Sequence, residues 1–418
     1  MKKLNIIYVA TGATLFLVLL LLTLLRQDVP FWDEAYYLEN VQILKDLGFT
    51  IEFLINYKGP AGPTFALIHY LLSPLTNLQA PYVRLVNIMF LLFSIVLIYK
   101  ITKRVNGKDS IRTALAISAL SIPTVYTITG MALTEMFGVF FLLIFIYILI
   151  NAYKENKNSW ILALFAGLAL SLAILSRQPI LMILLALPIF VIDYDEGFKI
   201  DFKNKKFTIF ICISFLSSLI IPLTIFSVWG NIQPASHAIT GAGLAPKHLI
   251  LALGYTALYV LFINPTFFNI KKDISNKSEF LLVSIVPVLA NIFLLKVSIA
   301  PFATIISNLI TNKYLELYSL VCGSLLTSLG LLFLYYFIKK QMLQSNKLIM
   351  FLSLAFLLII ATSVKVTHQF SARYVAQAFP LLILAVNYNR EKIKIIDIIT
   401  LIIGGLLGII SLESYFLN

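Results

Sequence analysis

The sequence predicts an all-α protein that crosses a membrane many times, and three observations predict it. Sixty per cent of the 418 residues are hydrophobic and only 12% are charged. Mean hydropathy is +0.93. Apolar stretches of about 20 residues, the length a helix needs to cross a bilayer, recur from one end of the chain to the other. No soluble globular domain is built this way. A single membrane domain over 1–418 is expected.

The elements follow in order. The apolar run 4–25 is longer than the core of a secretory signal, and no small-x-small cleavage site follows it, so it is expected to stay as the first helix. Residues 26–82 form the first extracytoplasmic loop. Within it Tyr36, Tyr37, Val41, Leu44 and Leu47 recur near helical spacing, the pattern of an amphipathic helix lying in the interface over 35–47. Gly59-Pro60-Ala61-Gly62-Pro63 breaks the chain. Residues 64–75 are apolar but too short to cross, so they read as a second interfacial helix, closed by Pro74. Further spans are expected at 83–101, 112–130, 133–152, 160–176, 179–193, 207–229, 249–268, 280–298, 317–338, 348–364, 374–389 and 394–412, making 13 with the first. Trp32, Trp160 and Trp229 sit at span ends, where interfacial aromatics belong. Outer loops fall at 230–248, rich in Gly, Pro and Ser, and at about 299–316.

The net charge of +13 raises the thought of nucleic acid, and its distribution removes it. One alternation of loops puts 22 of the 32 Lys and Arg residues on the side of Met1-Lys-Lys and 10 on the other, while the acids split 10 and 9. This is the positive-inside pattern. It predicts a cytoplasmic N-terminus and an extracytoplasmic C-terminus. Lys outnumbers Arg 25 to 7, and with frequent Ile and Asn this points to an AT-rich genome, hence to a prokaryotic plasma membrane rather than endoplasmic reticulum. Cys212 and Cys322 lie inside apolar runs and offer neither a disulfide framework nor a metal site.

Charges in apolar surroundings are costly and mark candidate sites. Between Arg112 and Lys154 the lone charge is Glu135. The 23 residues from Arg112 to Glu135 make roughly 34 Å of helix, about one crossing, so Glu135 emerges on the outer side. Between Lys157 and Asp193 the lone charge is Arg177, roughly 25 Å of helix beyond Trp160 and also at an outer end. Lys296 ends a span on the same side, and the last outer turn, KVTHQFSARY, adds Lys365, His368, Arg373 and Tyr374. Asp33 and Glu34 follow the first span directly. Each residue alone reads equally well as a snorkelling interface side chain. Together they read as one site in which carboxylates take a proton and cations hold an anion such as a phosphate.

The chain resembles the GT-C superfamily of integral membrane glycosyltransferases, in segments that occur in the family's order. PFWDEAYYLENVQIL resembles the family's acid-bearing first outer loop, and KGPAGPTFALIHYLL with PYVRLVN its Pro-rich turn, interfacial helix and Arg-Leu start of the next span. ALTEMFGVFFLLIFIY resembles the span opening with a second acid, and GLALSLAILSRQPILMILLALP a Gly-rich span ending in a base. ARYVAQAFPLLIL is similar to a late Arg-Tyr…Pro segment of the protein O-mannosyltransferase-like branch, and the SRQ triplet is similar to one in the terminal glucosyltransferase of N-glycan assembly. The segment 230–316 matches no known pattern.

The resemblance implies an inverting glycosyltransferase that moves a sugar from a polyprenyl-phosphate donor to a lipid, glycan or protein hydroxyl at the extracytoplasmic face. It implies Asp33 as catalytic base, with Arg177 and Arg373 at the donor phosphate and Lys58, His368 and Tyr374 as further candidates. Arg84 either joins them or anchors the start of the second span. Glu34 and Glu135 either bind a divalent cation such as Mg²⁺ or Mn²⁺ with Asp33, or Glu135 pairs with an outer Arg and orients it. His237 and His248 read as loop histidines or acceptor contacts, and His69 as an interface residue. Asp193-Tyr-Asp195-Glu196 looks like a nucleotide-sugar metal motif but lacks a βαβ setting, and the sequon Asn276-Lys-Ser278 falls on the inner side. The alternative is a multi-pass transporter or flippase of a lipid-linked or anionic substrate. Such a protein concentrates ionisable groups near the midplane, whereas here they fall at the outer ends.

Overall fold

The structure, a computed structural model, describes residues 2–26, 29–105, 109–155, 159–193, 199–200, 204–234, 243–268, 285–297, 299, 311–344, 346–367 and 370–416. Among them, eight helices are long and apolar enough to cross a membrane: Lys3–Leu25, Tyr82–Val105, Glu135–Glu155, Lys205–Trp229, Pro246–Ile263, Asn312–Met342, Lys347–Lys365 and Ile395–Phe416. The bent pair Ile111–Ser121 and Pro123–Gly130 makes nine when it counts as one crossing. The protein is an all-α polytopic membrane protein.

That measure does not reach the 13 spans expected, and the shortfalls have local causes. Pro123 pushes Ile122 into an extended conformation (φ −93°, ψ 112°), and the span 112–130 folds there by 75°. Trp160–Ser176 has 17 residues, at the short end of the lengths that cross a bilayer. Gln178–Phe190, which carries Pro179 and Pro188, winds as a 3-10 helix. At a rise of about 2.0 Å its 13 residues reach roughly 26 Å, farther than an α-helix of that length. Of the stretch 280–298, residues 280–284 lie outside the described residues; the described part is helical over Ile285–Leu295, and Lys296 ends it in a left-handed conformation (φ 49°). The stretch 374–389 divides into Arg373–Ala376 and Phe379–Val386, with Pro380 opening the second piece. Between Phe190 and Lys205 lies a two-residue antiparallel ribbon, Ile192–Asp193 against Lys199–Ile200. Asp195, Glu196 and the sequon at 276–278 fall outside the described residues.

The first loop forms both expected helices, Asp33–Leu47 and Thr64–Thr76. Tyr37, Val41 and Leu44, at i, i+4 and i+7, face inward from the first, and Phe65, Ala66 and His69 from the second. A short helix that the sequence reading did not anticipate, Ile51–Asn56, lies between them, capped by the Thr50 hydroxyl accepting from the Phe53 N–H at 3.2 Å. Phe49, Ile51, Ile55, Leu71 and Leu75 remain exposed along the loop.

Consecutive helices pack as neighbours through Tyr82–Val105, Glu135–Glu155, Trp160–Ser176 and Lys205–Trp229, although Tyr82–Val105 contacts Glu135–Glu155 across the bent pair. Lys347–Ala361 lies on Gln178–Phe190, and Pro246–Ile263 on Asn312–Phe337. The two chain-end helices meet, and Arg26 pairs with Glu413 at 2.5 Å. The C-terminal end of Ile395–Phe416 therefore shares one end of the bundle with Asp33, opposite the start of the first helix.

Small residues let the last helix approach the bent pair closely, as membrane packing favours. A Cβ on Gly404 would stand 1.9 Å from the Ser121 carbonyl oxygen, and one on Gly408 2.2 Å from Tyr126 Cδ2. Helix propensity alone favours Gly→Ala by about 1 kcal/mol. Gly404→Ala is nevertheless expected to destabilise the protein by about 1–3 kcal/mol, because a backbone carbonyl cannot move aside. The lipid-facing Leu406→Ala on the same helix should change stability far less. Unfolding in detergent measures both, and a stabilised Gly404→Ala would show that the helices are not packed this tightly.

Candidate active site

Asp33 and Glu34 open the helix Asp33–Leu47, where carboxylates complement the free N–H groups of its first turn. Successive helical residues point about 100° apart, and the two acids separate accordingly. Glu34 turns inward and is fully buried with Arg84. Arg84 grips it at two points, Nε to Oε1 at 2.9 Å and Nη2 to Oε2 at 2.8 Å. The Arg84 Nη1 donates to the Arg26 carbonyl at 2.9 Å, and its guanidinium stands over the rings of Phe31 and Phe416. The Ala132 N–H gives Glu34 a further hydrogen bond at 2.7 Å. Asn87 donates to the carbonyls of Ile128, Met131 and Leu133 and fixes the turn before Glu135. Glu34 and Arg84 thus anchor the first loop to the second span.

Glu135 begins Glu135–Glu155, and Arg177 closes Trp160–Ser176. These consecutive helices pack as a hairpin, so the start of one meets the end of the other. The acid sits at a positive helix end and the base at a negative one. Arg177 Nη1 lies 3.6 Å from Glu135 Oε1. The first loop docks on the same helix end. The Gln178 amide donates to the Pro60 carbonyl at 2.8 Å, and Thr64 Oγ1 to that of Leu172 at 3.0 Å. Only glycine fits at position 62, where a Cβ would fall 2.5 Å from the Leu175 carbonyl oxygen.

The turn Arg373–Ala376 completes the group. Arg373 Nη2 donates to Asp33 Oδ2 at 2.6 Å, and its Nε lies 4.0 Å from Glu135 Oε1. The side chain of Asp33 is 46% exposed and that of Glu135 1%. Asp33 therefore lies at the exposed edge of this group of charges, and Glu135 at its buried side. Burial works against the charge on Arg373, but Glu135, Asp33 and Tyr37 raise its pKa above the ordinary arginine value. Arg177 lies 5.8 Å from the centre of the Tyr374 ring.

Distances separate two kinds of ion pair here. Glu34 and Arg84 satisfy each other at 2.8–2.9 Å. Glu135 stands at 3.6 and 4.0 Å from its two arginines, and its Oε2 has no hydrogen-bond partner among the described residues. It holds the arginines by charge without saturating them. Those donors suit a phosphate, for which the planar guanidinium is made.

Asp33, Glu135, Arg177, Arg373 and Tyr374 come together; other candidates do not. Lys58 pairs with Glu39 at 2.6 Å on the exposed side of the loop. Of the two expectations for Arg84, anchoring fits its burial. Glu34 spends both oxygens on Arg84, and Asp33 and Glu135 each face arginine, so this trio does not fit a divalent cation. Among the described residues no three His, Cys, Asp or Glu side chains group as metal ligands. His69 is buried between Phe65 and Phe137, its pKa lowered to about 3 by burial. His248 is tied to the Val366 carbonyl. His368 and His237 lie outside the described residues.

Two neighbours were not singled out from the sequence. Tyr37 is buried one turn below Asp33, and desolvation by burial pushes its pKa up to about 12 despite nearby Arg177, which keeps the hydroxyl protonated as a donor. Gln377 is fully buried beside Arg177. Their i+4 spacing from Asp33 and Arg373 was the available signal.

Residues 8–235 match the family model described as dolichyl-phosphate-mannose-protein mannosyltransferase. No curated protein matches the chain. The matched segment holds Asp33, Glu34, Arg84, Glu135 and Arg177, whereas Arg373 lies beyond it.

Removing one partner of a buried pair leaves an uncompensated charge. Arg84→Ala is expected to cost about 3–5 kcal/mol of stability. Lys58→Ala, which removes an exposed pair, should cost at most about 1 kcal/mol. Chemical unfolding in detergent compares them, and equal losses would contradict the anchoring role.

Proposed function

The chain belongs to the dolichyl-phosphate-mannose-protein mannosyltransferase family, and on that premise we propose that it is an inverting glycosyltransferase that moves mannose from a polyprenyl-phosphate donor to a hydroxyl group at the extracytoplasmic face of a cell membrane. The family name favours a protein hydroxyl as acceptor. The observation that carries this reading is the unbroken line of charges Asp33–Arg373–Glu135–Arg177 at one end of the bundle.

In this reading the donor phosphate binds to Arg177 and Arg373. Arg373 turns from Asp33 to the phosphate and leaves the Asp33 carboxylate free. The acceptor oxygen attacks the anomeric carbon from the side opposite the phosphate. Its proton passes to Asp33, the bond from that carbon to the phosphate oxygen breaks, and the electron pair leaves with the phosphate. The configuration inverts in one displacement, with a base at the nucleophile and cations at the leaving group. Glu135 is too buried to meet an acceptor and serves to hold the two arginines. Tyr37 and Tyr374 supply hydroxyls beside them. Donor-first binding follows, because Asp33 is paired until the phosphate arrives.

The distribution of Lys and Arg supports a cytoplasmic N-terminus, and the Arg26–Glu413 pair supports a C-terminus on the side of Asp33. The Lys-rich composition supports a prokaryotic plasma membrane.

The test uses purified protein in detergent, synthetic polyprenyl-phosphate mannose and hydroxyl-bearing peptides, with no vesicle or gradient present. Transfer is expected, and Asp33→Asn should reduce it at least about 100-fold with folding intact. Full activity of Asp33→Asn would remove the proposed base. Vesicle-dependent movement of the donor without transfer would replace the reading with transport.

A further inference from the structure

We propose that Gln377 is a positioning residue that aims Arg177 at the donor phosphate, an inference that rests on the role given to Arg177 above. Gln377 follows the turn Arg373–Ala376, far beyond the segment matched to the family. It is fully buried. Its two amide atoms are both used. Nε2 donates to the Tyr374 carbonyl at 2.9 Å, and Oε1 accepts from Arg177 Nε at 3.2 Å. The orientation of the amide is fixed by its partners, since a carbonyl only accepts and a guanidinium Nε only donates.

This contact determines what remains of Arg177. The guanidinium is planar, so holding two of its nitrogens fixes the whole group. Nε is held by Gln377, and Nη1 faces Glu135 at 3.6 Å. Nη2 has no hydrogen-bond or ion-pair partner among the described residues. Without Gln377 the Arg177 side chain is free to turn and close on Glu135 as a two-point pair, the arrangement that Arg84 has with Glu34 at 2.8 and 2.9 Å. An arginine paired that tightly has fewer donors for a phosphate. Gln377 therefore keeps Arg177 from being saturated by its own carboxylate. The spacing of Arg373 and Gln377, four residues apart on one helical turn, lets a single short segment address both arginine sites, one through its own guanidinium and one through an amide.

The test is a double-mutant cycle on donor affinity. Polyprenyl phosphate alone is the binding probe, polyprenyl-phosphate mannose serves for kinetics, and thermal unfolding is followed in parallel. Gln377→Leu is expected to weaken binding and raise the donor KM about tenfold, the loss of one hydrogen bond to a charged group. The acceptor KM should not move. In the Arg177→Ala background Gln377→Leu should have no further effect, because its action runs through Arg177. If Gln377→Leu does not fold, Gln377→Met, similar in length and flexibility, takes its place. Unchanged donor affinity, or losses that add in the double variant, overturn the proposal. Unfolding of both variants would make Gln377 a packing residue and overturn it as well. If Arg177→Ala itself leaves donor binding unaltered, the phosphate role of Arg177 fails, an outcome distinct from failure of Gln377 alone.

Discussion

The buried pair of Glu34 and Arg84 is the constraint on which the rest of this end of the molecule depends. Neither side chain reaches solvent, so each charge is tolerable only because the other is in place. The pair ties the first loop to the second span, and the Ala132 N–H joins the turn before Glu135 to the same carboxylate. Asp33 is the next residue on the helix. Its place at the exposed edge of the charged group follows from the burial of Glu34, since adjacent helical residues point about 100° apart. Two adjacent acids thus differ in setting: one is buried, saturated and holds the fold, and the other stays half exposed with a single arginine contact.

The same contrast runs through the four arginine–carboxylate contacts at this end of the bundle. At 2.8–2.9 Å a two-point pair satisfies both partners and adds rigidity. At 3.6 and 4.0 Å the attraction still places Arg177 and Arg373, but hydrogen-bonding capacity is left over. The Asp33–Arg373 contact is short but made through one nitrogen, with Asp33 half exposed and Arg373 mostly buried.

The first loop is a structural part of this site. Its Pro- and Gly-rich turn sits on the end of the helix that carries Arg177, through Gln178, Thr64 and the bare backbone of Gly62. Exposed Phe49, Ile51, Ile55, Leu71 and Leu75 give its outer rim an apolar surface suited to the membrane interface. The loop therefore carries an apolar outer rim and the contacts to the charged group within one short stretch of chain.

The sequence by itself determined the membrane class, the two principal loop helices and the membership of Asp33, Glu135, Arg177 and Arg373 in one group. It did so because hydrocarbon penalises charge and fixes helix length, so a lone ionisable residue can be placed by counting from the nearest basic flank. Amphipathic spacing did the same for Asp33–Leu47. Counting failed where the chain left regular α-helix: at Pro123, through the 3-10 segment Gln178–Phe190, and around Pro380. Only the tertiary structure decided which acid meets which base. The sequence did not say which arginine meets Glu34 and which meets Asp33, and pairing between residues 50 or 340 positions apart depends on helix rotation and packing. Gln377 shows the same limit, for its i+4 spacing from Arg373 is a weak signal and nothing local names its partner 200 residues away.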